Sequence, residues 1–137
     1  MSTRSRIGIE VSNGWVHSIY CHHDGYLSGV GEMLSDHYQT ADDVRRLIDL
    51  GDISSLSETV EATYPNAYRH EDVQVRVDRD KEEFWRNAGD CGEEFAYLYE
   101  VVVDGVGDDG YEWRCMEIPR PSGLNEALGK IFIDDII

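Results

Sequence analysis

Asn13-Gly14, set between the apolar runs Ile7–Val11 and Trp15–Cys21, restricts the fold more than any other feature of the chain. A type I′ turn needs positive φ at both central positions, which Asn and Gly tolerate, so the pattern predicts an antiparallel hairpin. With those two residues as the loop, Ser12 pairs with Trp15 and Val11 with Val16. One face then carries Ile7, Ile9, Val11, Val16 and Tyr20. The other carries Glu10, Trp15, His17 and Ile19, with Glu10 across from His17. The first face is expected to pack on the core.

Tyr26, Val30, Met33, Leu34 and His37 recur at helical spacing and predict a helix over about 26–38, despite Gly29 and Gly31. A second helix starts at Thr40, whose hydroxyl can cap while Asp43 reaches back as in a capping box. Its buried stripe is Val44, Leu47 and Ile48, and Gly51 can end it. Residues 53–68 are ambiguous, with Pro65 blocking a helix through their middle. Val73, Val75 and Val77 alternate with polar residues and predict a short half-buried strand. Asp80 then caps a helix over 81–88, with Phe84 and Trp85 inward and Gly89 at its end.

Residues 95–103 are apolar on both faces and read as a central strand. The turn 105–110 returns into 111–118 as a second hairpin, and Pro121-Ser122 opens a last helix with Leu124 and Leu128. The expected fold is α+β. Its sheet is mostly antiparallel, built from two hairpins plus one short strand, with three or four helices packed against it.

The chain has 137 residues, the size of a single domain with a real core. Its 28 acids against 12 bases give a formal net charge of −16, while 41% hydrophobic and 10% aromatic content argue against a disordered acidic tract. Direct contact with nucleic acid or an anionic membrane requires a basic surface, so neither is expected. Residues 1–70 hold 10 acids and 5 bases, whereas residues 71–137 hold 18 and 7. Ten of the twelve cations are Arg, which pairs with carboxylates better than Lys does. Internal ion pairing of these cations would leave the remaining carboxylates uncompensated outside. No signal-peptide pattern or bilayer-length apolar run is read, and three dispersed cysteines without a CxxC spacing suggest a reduced, cytoplasmic setting.

Cys21-His22-His23-Asp24 is the densest cluster of versatile side chains and lies at a strand-to-helix junction. Together with Tyr26 it is the candidate small-ligand site. A transition metal would need His37 or His70 as a distant further ligand, and adjacent strand residues point to opposite faces, so no metal site or cofactor is assigned. The structural alternative is that Asp24 caps the next helix, Cys21 is core and the histidines make ordinary hydrogen bonds. A catalytic Cys–His pair is disfavoured, because a strongly negative protein raises thiol pKa values. Asp104, Asp108 and Asp109 lack the ligand spacing of a calcium loop. Gly105-Val106-Gly107 among them would repel phosphate.

Acid runs then remain on several elements. DNA carries one charge per ~3.4 Å of each strand. Carboxylates on one strand face repeat at about 6.7 Å, and helix neighbours stand about 5–6 Å apart. Rows of this kind can imitate phosphate strands and dock in a basic groove. Asp104, Asp108, Asp109 and Glu112 are the first expected protein contacts, with Glu93 and Glu94 next. The competing accounts are a surface acidic only for solubility, and a structural protein that self-associates through exposed aromatics such as Trp15, Tyr111 and Trp113; edge-to-edge alignment of the hairpins would give a homodimer.

Residues 6–10, Ser18-Ile19-Tyr20-Cys21-His22-His23-Asp24-Gly25-Tyr26, Gly29-Val30-Gly31 and Leu50-Gly51-Asp52-Ile53-Ser54-Ser55-Leu56 together resemble a family of small acidic bacteriophage and prophage proteins of uncharacterised function. A looser echo occurs at residues 94–99. The resemblance implies a phage origin and transfers no catalytic residue. It makes a host-directed, non-enzymatic role the leading expectation: a DNA mimic inhibiting a host nucleic-acid-binding protein of a defence or transcription system, in the host cytoplasm.

Overall fold

The computed structural model describes residues 3–65, 75–102, 110–118 and 131–133. β1 (Ser5–Glu10) and β2 (Val16–Cys21) form the expected hairpin, one residue away from the expected register. Glu10 faces Val16, Ile9 faces His17 and Ile7 faces Ile19. Gly14 has φ +85° but Asn13 is not in the left-handed region, so the turn is not type I′. The Gly14 N–H donates to Val11 O at 2.9 Å and the Val11 N–H to Trp15 O at 2.8 Å, which makes a four-residue turn closed by a glycine bulge. A one-residue slip moves a strand's side chains to the opposite face. Ile19 and Cys21 therefore join Ile7 and Ile9 in the larger core, while Val16 lies in the smaller one.

The strands form one mixed sheet in the order β4-β3-β2-β1-β6-β7-β8, with β5 also paired to β2. Here β3 is Ile53–Ser55, β4 Tyr64–Pro65, β5 Arg76–Asp78, β6 Phe95–Val101, β7 Tyr111–Glu117 and β8 Ile131–Ile133. The sheet is mixed, which the expected hairpin architecture did not include: among the described residues β1 runs parallel to the central strand β6 and β2 parallel to β3, while the other pairings are antiparallel. Each hairpin signal is local and correct in kind. How the two hairpins join is decided by burial: β1 and β6 are each covered on both faces, so they meet at the centre.

Three α-helices occur among the described residues. The helix expected over 26–38 divides into a five-residue π-helix, Leu27–Gly31, and α1 (Glu32–His37). Its buried positions are Val30, Leu34 and Tyr38, whereas Tyr26 is exposed and His37 faces outward. α2 (Ala41–Ile48) is capped by Thr40 Oγ1 accepting the Asp43 N–H at 3.1 Å, and it buries Val44, Leu47 and Ile48 as expected. The Asp43 carboxylate turns to Arg46, 3.6 Å away. α3 (Lys81–Asn87) is capped by Asp80, with Phe84 fully buried and Trp85 half-buried.

The π-helix, α1 and α2 cover the face of Ile7, Ile9, Tyr97 and Tyr99, and α3 covers the face of Val16, Leu98 and Met116. Burying a side chain of this size contributes about 1.5–3 kcal/mol. Gly8 admits α3: a Cβ there would stand 2.9 Å from Phe84 Cε1. The valine alternation read over 73–77 is corrected at its end. Val77 is 46% exposed, and Asp78 points inward with Arg76 beside it at 3.3 Å. The last expected helix lies outside the described residues, and β8 has no counterpart in the sequence reading.

Candidate functional site

The end of β2 is where separate stretches of sequence meet. The Tyr20 N–H donates to Asp52 Oδ1 at 2.9 Å. The His22 N–H donates to Ile53 O at 3.1 Å and the His23 N–H to Ser54 O at 3.0 Å. The Gly25 N–H donates to Thr3 O at 2.8 Å, and the Gly25 carbonyl accepts the buried Tyr97 O–H at 2.8 Å. Residues 18–26, 29–31 and 50–56 are thus brought into one local structure.

Two uncommon backbone features sit side by side in it. Asp24 has φ 58°, left-handed for a residue with a Cβ, and the π-helix follows within three residues. Both features are enriched at functional sites. They are linked by the Val30 N–H donating to Asp24 O at 2.8 Å, and a Cβ on Gly29 would stand 2.3 Å from that same oxygen. Asp24 does not cap the following helix with its side chain. Its carboxylate instead accepts from Tyr26 Oη at 3.0 Å, which raises the Tyr26 pKa.

Tyr20 Oη lies 2.7 Å from His22 Nδ1, and the His22 and His23 rings meet edge to face at 4.6 Å. Burial, then His23, then Arg4 hold the His22 pKa below its ordinary value. Burial raises Tyr20, which keeps its proton. Tyr20 Oη and His22 Nδ1 share this hydrogen bond, and the His22 tautomer sets which of them donates. Cys21 faces the other way: its thiol donates to His23 O at 3.4 Å, and burial pushes its pKa up to about 12. The four adjacent residues therefore do not converge on one point: the two His rings pack on each other, Cys21 faces the core and Asp24 is bonded by Tyr26; His37 is on the exterior of α1, and His70 lies outside the described residues. Among the described residues no three His, Cys, Asp or Glu side chains are grouped to hold a metal ion.

Beside this loop is a polar network that the sequence reading missed. Arg6 Nε donates to Glu93 Oε2 at 2.6 Å, Nη1 to Ser18 Oγ at 3.1 Å, and Nη2 lies 3.9 Å from Cys91 Sγ. Glu93 Oε1 accepts the Cys91 N–H at 2.8 Å. Glu93, an expected protein contact, is therefore an internal counter-ion. Glu94 is half-buried, and its N–H donates to Arg4 O at 2.8 Å. The available signal was the polar alternation Arg6, Gly8, Glu10 on β1, which does not say which polar groups are dry.

Other cations are also held within the molecule. Arg46 pairs with Asp43 and Glu61, Arg76 with Asp78, and Arg79 with Glu83. Lys81 lies 3.8 Å from Glu10 and 3.7 Å from Glu100, and Arg114 lies 3.3 Å from Glu100. Glu100 stands directly across from the exposed Glu112 on β7. Among the described residues Glu32, Asp36, Asp42, Asp49, Glu82, Asp90, Glu112 and Glu117 are exposed and take part in no ion pair. Asp104, Asp108 and Asp109 lie outside the described residues.

No helix among the described residues is long and apolar enough to cross a membrane. No protein-family model matches this chain, and neither curated proteins nor solved structures give a match.

Proposed function

We propose that this chain is a non-enzymatic binding protein whose acidic exterior docks on the nucleic-acid-binding surface of another protein, as a DNA mimic does. One observation carries the reading. Arg6, Arg46, Arg76, Arg79, Lys81 and Arg114 are engaged by the molecule's own carboxylates, while the exposed Glu32, Asp36, Asp42, Asp49, Glu82, Glu112 and Glu117 of α1, α2, α3 and β7 take part in no ion pair. Such a surface attracts a basic groove at long range and repels nucleic acid itself. The resemblance to phage acidic proteins supports a host protein of a defence or transcription system as the partner, met in the host cytoplasm.

The experiment is affinity capture from a bacterial lysate on the immobilised chain, with elution by stepped salt. A captured nucleic-acid-binding protein that loses DNA or RNA binding when the free chain is added supports the reading. Capture only of proteins without nucleic-acid affinity would overturn it.

A second reading is favoured by the left-handed Asp24 beside the π-helix: the loop of His22, His23, Asp24 and Tyr26 binds a small ligand. A small-molecule screen that raises the melting temperature of the wild-type protein but not of a Tyr26→Ala variant would support it.

A further inference from the structure

We infer that Arg4 and His22 hold the phosphate group of a small ligand, an inference that rests on the small-ligand reading above and names the chemistry of what the loop takes. The register brings the two residues together. Arg6 pairs with Tyr20 and Ser5 with Cys21, so Arg4 and His22 leave the β1–β2 ladder side by side. Strand alternation puts both on the face of Arg6 and Tyr20. The contacts agree. Tyr20 Oη lies 2.7 Å from His22 Nδ1, and both guanidiniums reach Cys91, Arg6 at its Sγ and Arg4 at its carbonyl.

Arg4 is held in place without being neutralised. Its Nη1 donates to Cys91 O at 3.4 Å, and a Cβ on Gly92 would stand 2.8 Å from the same nitrogen, so the guanidinium rests on the backbone there. Arg4 is exposed and takes part in no ion pair among the described residues. The carboxylates around it have other partners. Glu93 binds Arg6 and the Cys91 N–H, Asp52 accepts the Tyr20 N–H, and Asp24 accepts the Tyr26 O–H. Besides burial, the groups that disfavour a charged His22 ring are His23 and Arg4. A locally cationic spot thus survives in a chain of net charge −16.

Donor chemistry selects the ligand. The guanidinium fork pairs with oxyanions, phosphate and carboxylate alike. His22 adds a ring on the neighbouring strand, and a bound anion favours its charged, donating form. The oxygens of a carboxylate lie in one plane, which the fork alone fills. Those of a phosphate diverge, so it can meet Arg4 and His22 together.

The test titrates inorganic phosphate into the full chain at an ionic strength held constant with sodium chloride, following the His22 ring protons by NMR. The wild type is compared with Arg4→Gln and with Arg45→Gln, which removes an equal charge from an exposed position on α2, and circular dichroism confirms that both variants fold. The expected result is a saturable shift of the His22 ring with its pKa raised by phosphate. The dissociation constant should weaken about tenfold or more in Arg4→Gln and stay unchanged in Arg45→Gln. A shift that does not saturate, or one that survives Arg4→Gln, overturns the inference. Acetate binding as tightly as phosphate overturns it too, by assigning a carboxylate. If phosphate fails but the small-molecule screen finds a ligand that depends on Tyr26, the phosphate assignment alone falls. If phosphate fails and no ligand of any class raises the melting temperature, the small-ligand reading falls with it.

Discussion

Arg6 and Glu93 meet at 2.6 Å with their side chains only 5% and 0% exposed, joining the start of β1 to the segment that enters β6. Two hydrogen bonds complete the pair, to Ser18 and from the Cys91 N–H. Removing one member of such a pair strands the other's charge in a dry site. Arg6→Ala is therefore expected to destabilise the fold by about 3–5 kcal/mol. The double variant Arg6→Met, Glu93→Leu should recover most of that loss. Urea denaturation of the three proteins checks this, and a loss within about 1 kcal/mol for Arg6→Ala would mean that the pair is wet.

Thiol accessibility should divide the cysteines cleanly. Cys91 is exposed, whereas Cys21 and Cys115 are buried with pKa values pushed up to about 12 by burial. A disulfide reagent should label Cys91 alone in the native protein and all three after unfolding. The native state binds these two protons more tightly than the unfolded chain. Their contribution to stability is present below pH 9.0 and is lost as pH rises from there toward about 12. The raised pKa values of Tyr20 and Tyr38 act in the same sense. Denaturation midpoints across an alkaline series should fall accordingly, and a midpoint constant over that range would contradict the burial of the thiols.

His22 titrates in the opposite sense. Its pKa lies below 6.5 through burial, His23 and Arg4, so its contribution is present above pH 6.5 and is lost as pH falls through the folded value. Tyr20→Phe removes the hydroxyl at Nδ1: loss of a donating phenol raises the His22 pKa, and loss of an accepting one lowers it. Following the His22 ring protons by NMR over a pH series gives both values. The direction of the change identifies the donor, and a wild-type value at or above 6.5 would contradict the burial of the ring.

The π-helix depends on Gly29, since a Cβ there would stand 2.3 Å from Asp24 O. Gly29→Ala must displace the left-handed Asp24 turn, and a loss of about 1–3 kcal/mol is expected. At Gly14 nothing lies within 4 Å of a Cβ but φ is +85°, so Gly14→Ala should cost about 1 kcal/mol through backbone strain alone. Equal and negligible losses at the two glycines would mean that the π-helix is not held by that contact.

The contrast between those glycines indicates what the sequence made legible. Asn13-Gly14 announced a hairpin correctly because turn chemistry is local, yet it could not separate a two-residue loop from a glycine bulge, and the slip reassigned Val16 and Ile19. Thr40 and Asp80 were readable as caps for the same local reason, and both accept the N–H three residues on. The parallel joint of β1 with β6 was not readable, since nothing in either strand's own pattern fixes the direction of its neighbour. Nor was the burial of Glu93, which follows from Arg6, far away in the chain. Abundant carboxylates look alike in sequence, and only packing divides Glu93 and Asp78 from Glu112.

The central claim is that the exposed carboxylates occupy a groove meant for phosphates. Equilibrium competition between this chain and duplex DNA for a captured partner, repeated across a salt series, tests it most directly. The account predicts mutually exclusive binding and an affinity that falls steeply as salt is raised. A ternary complex of chain, partner and DNA, or an affinity indifferent to salt, would contradict it.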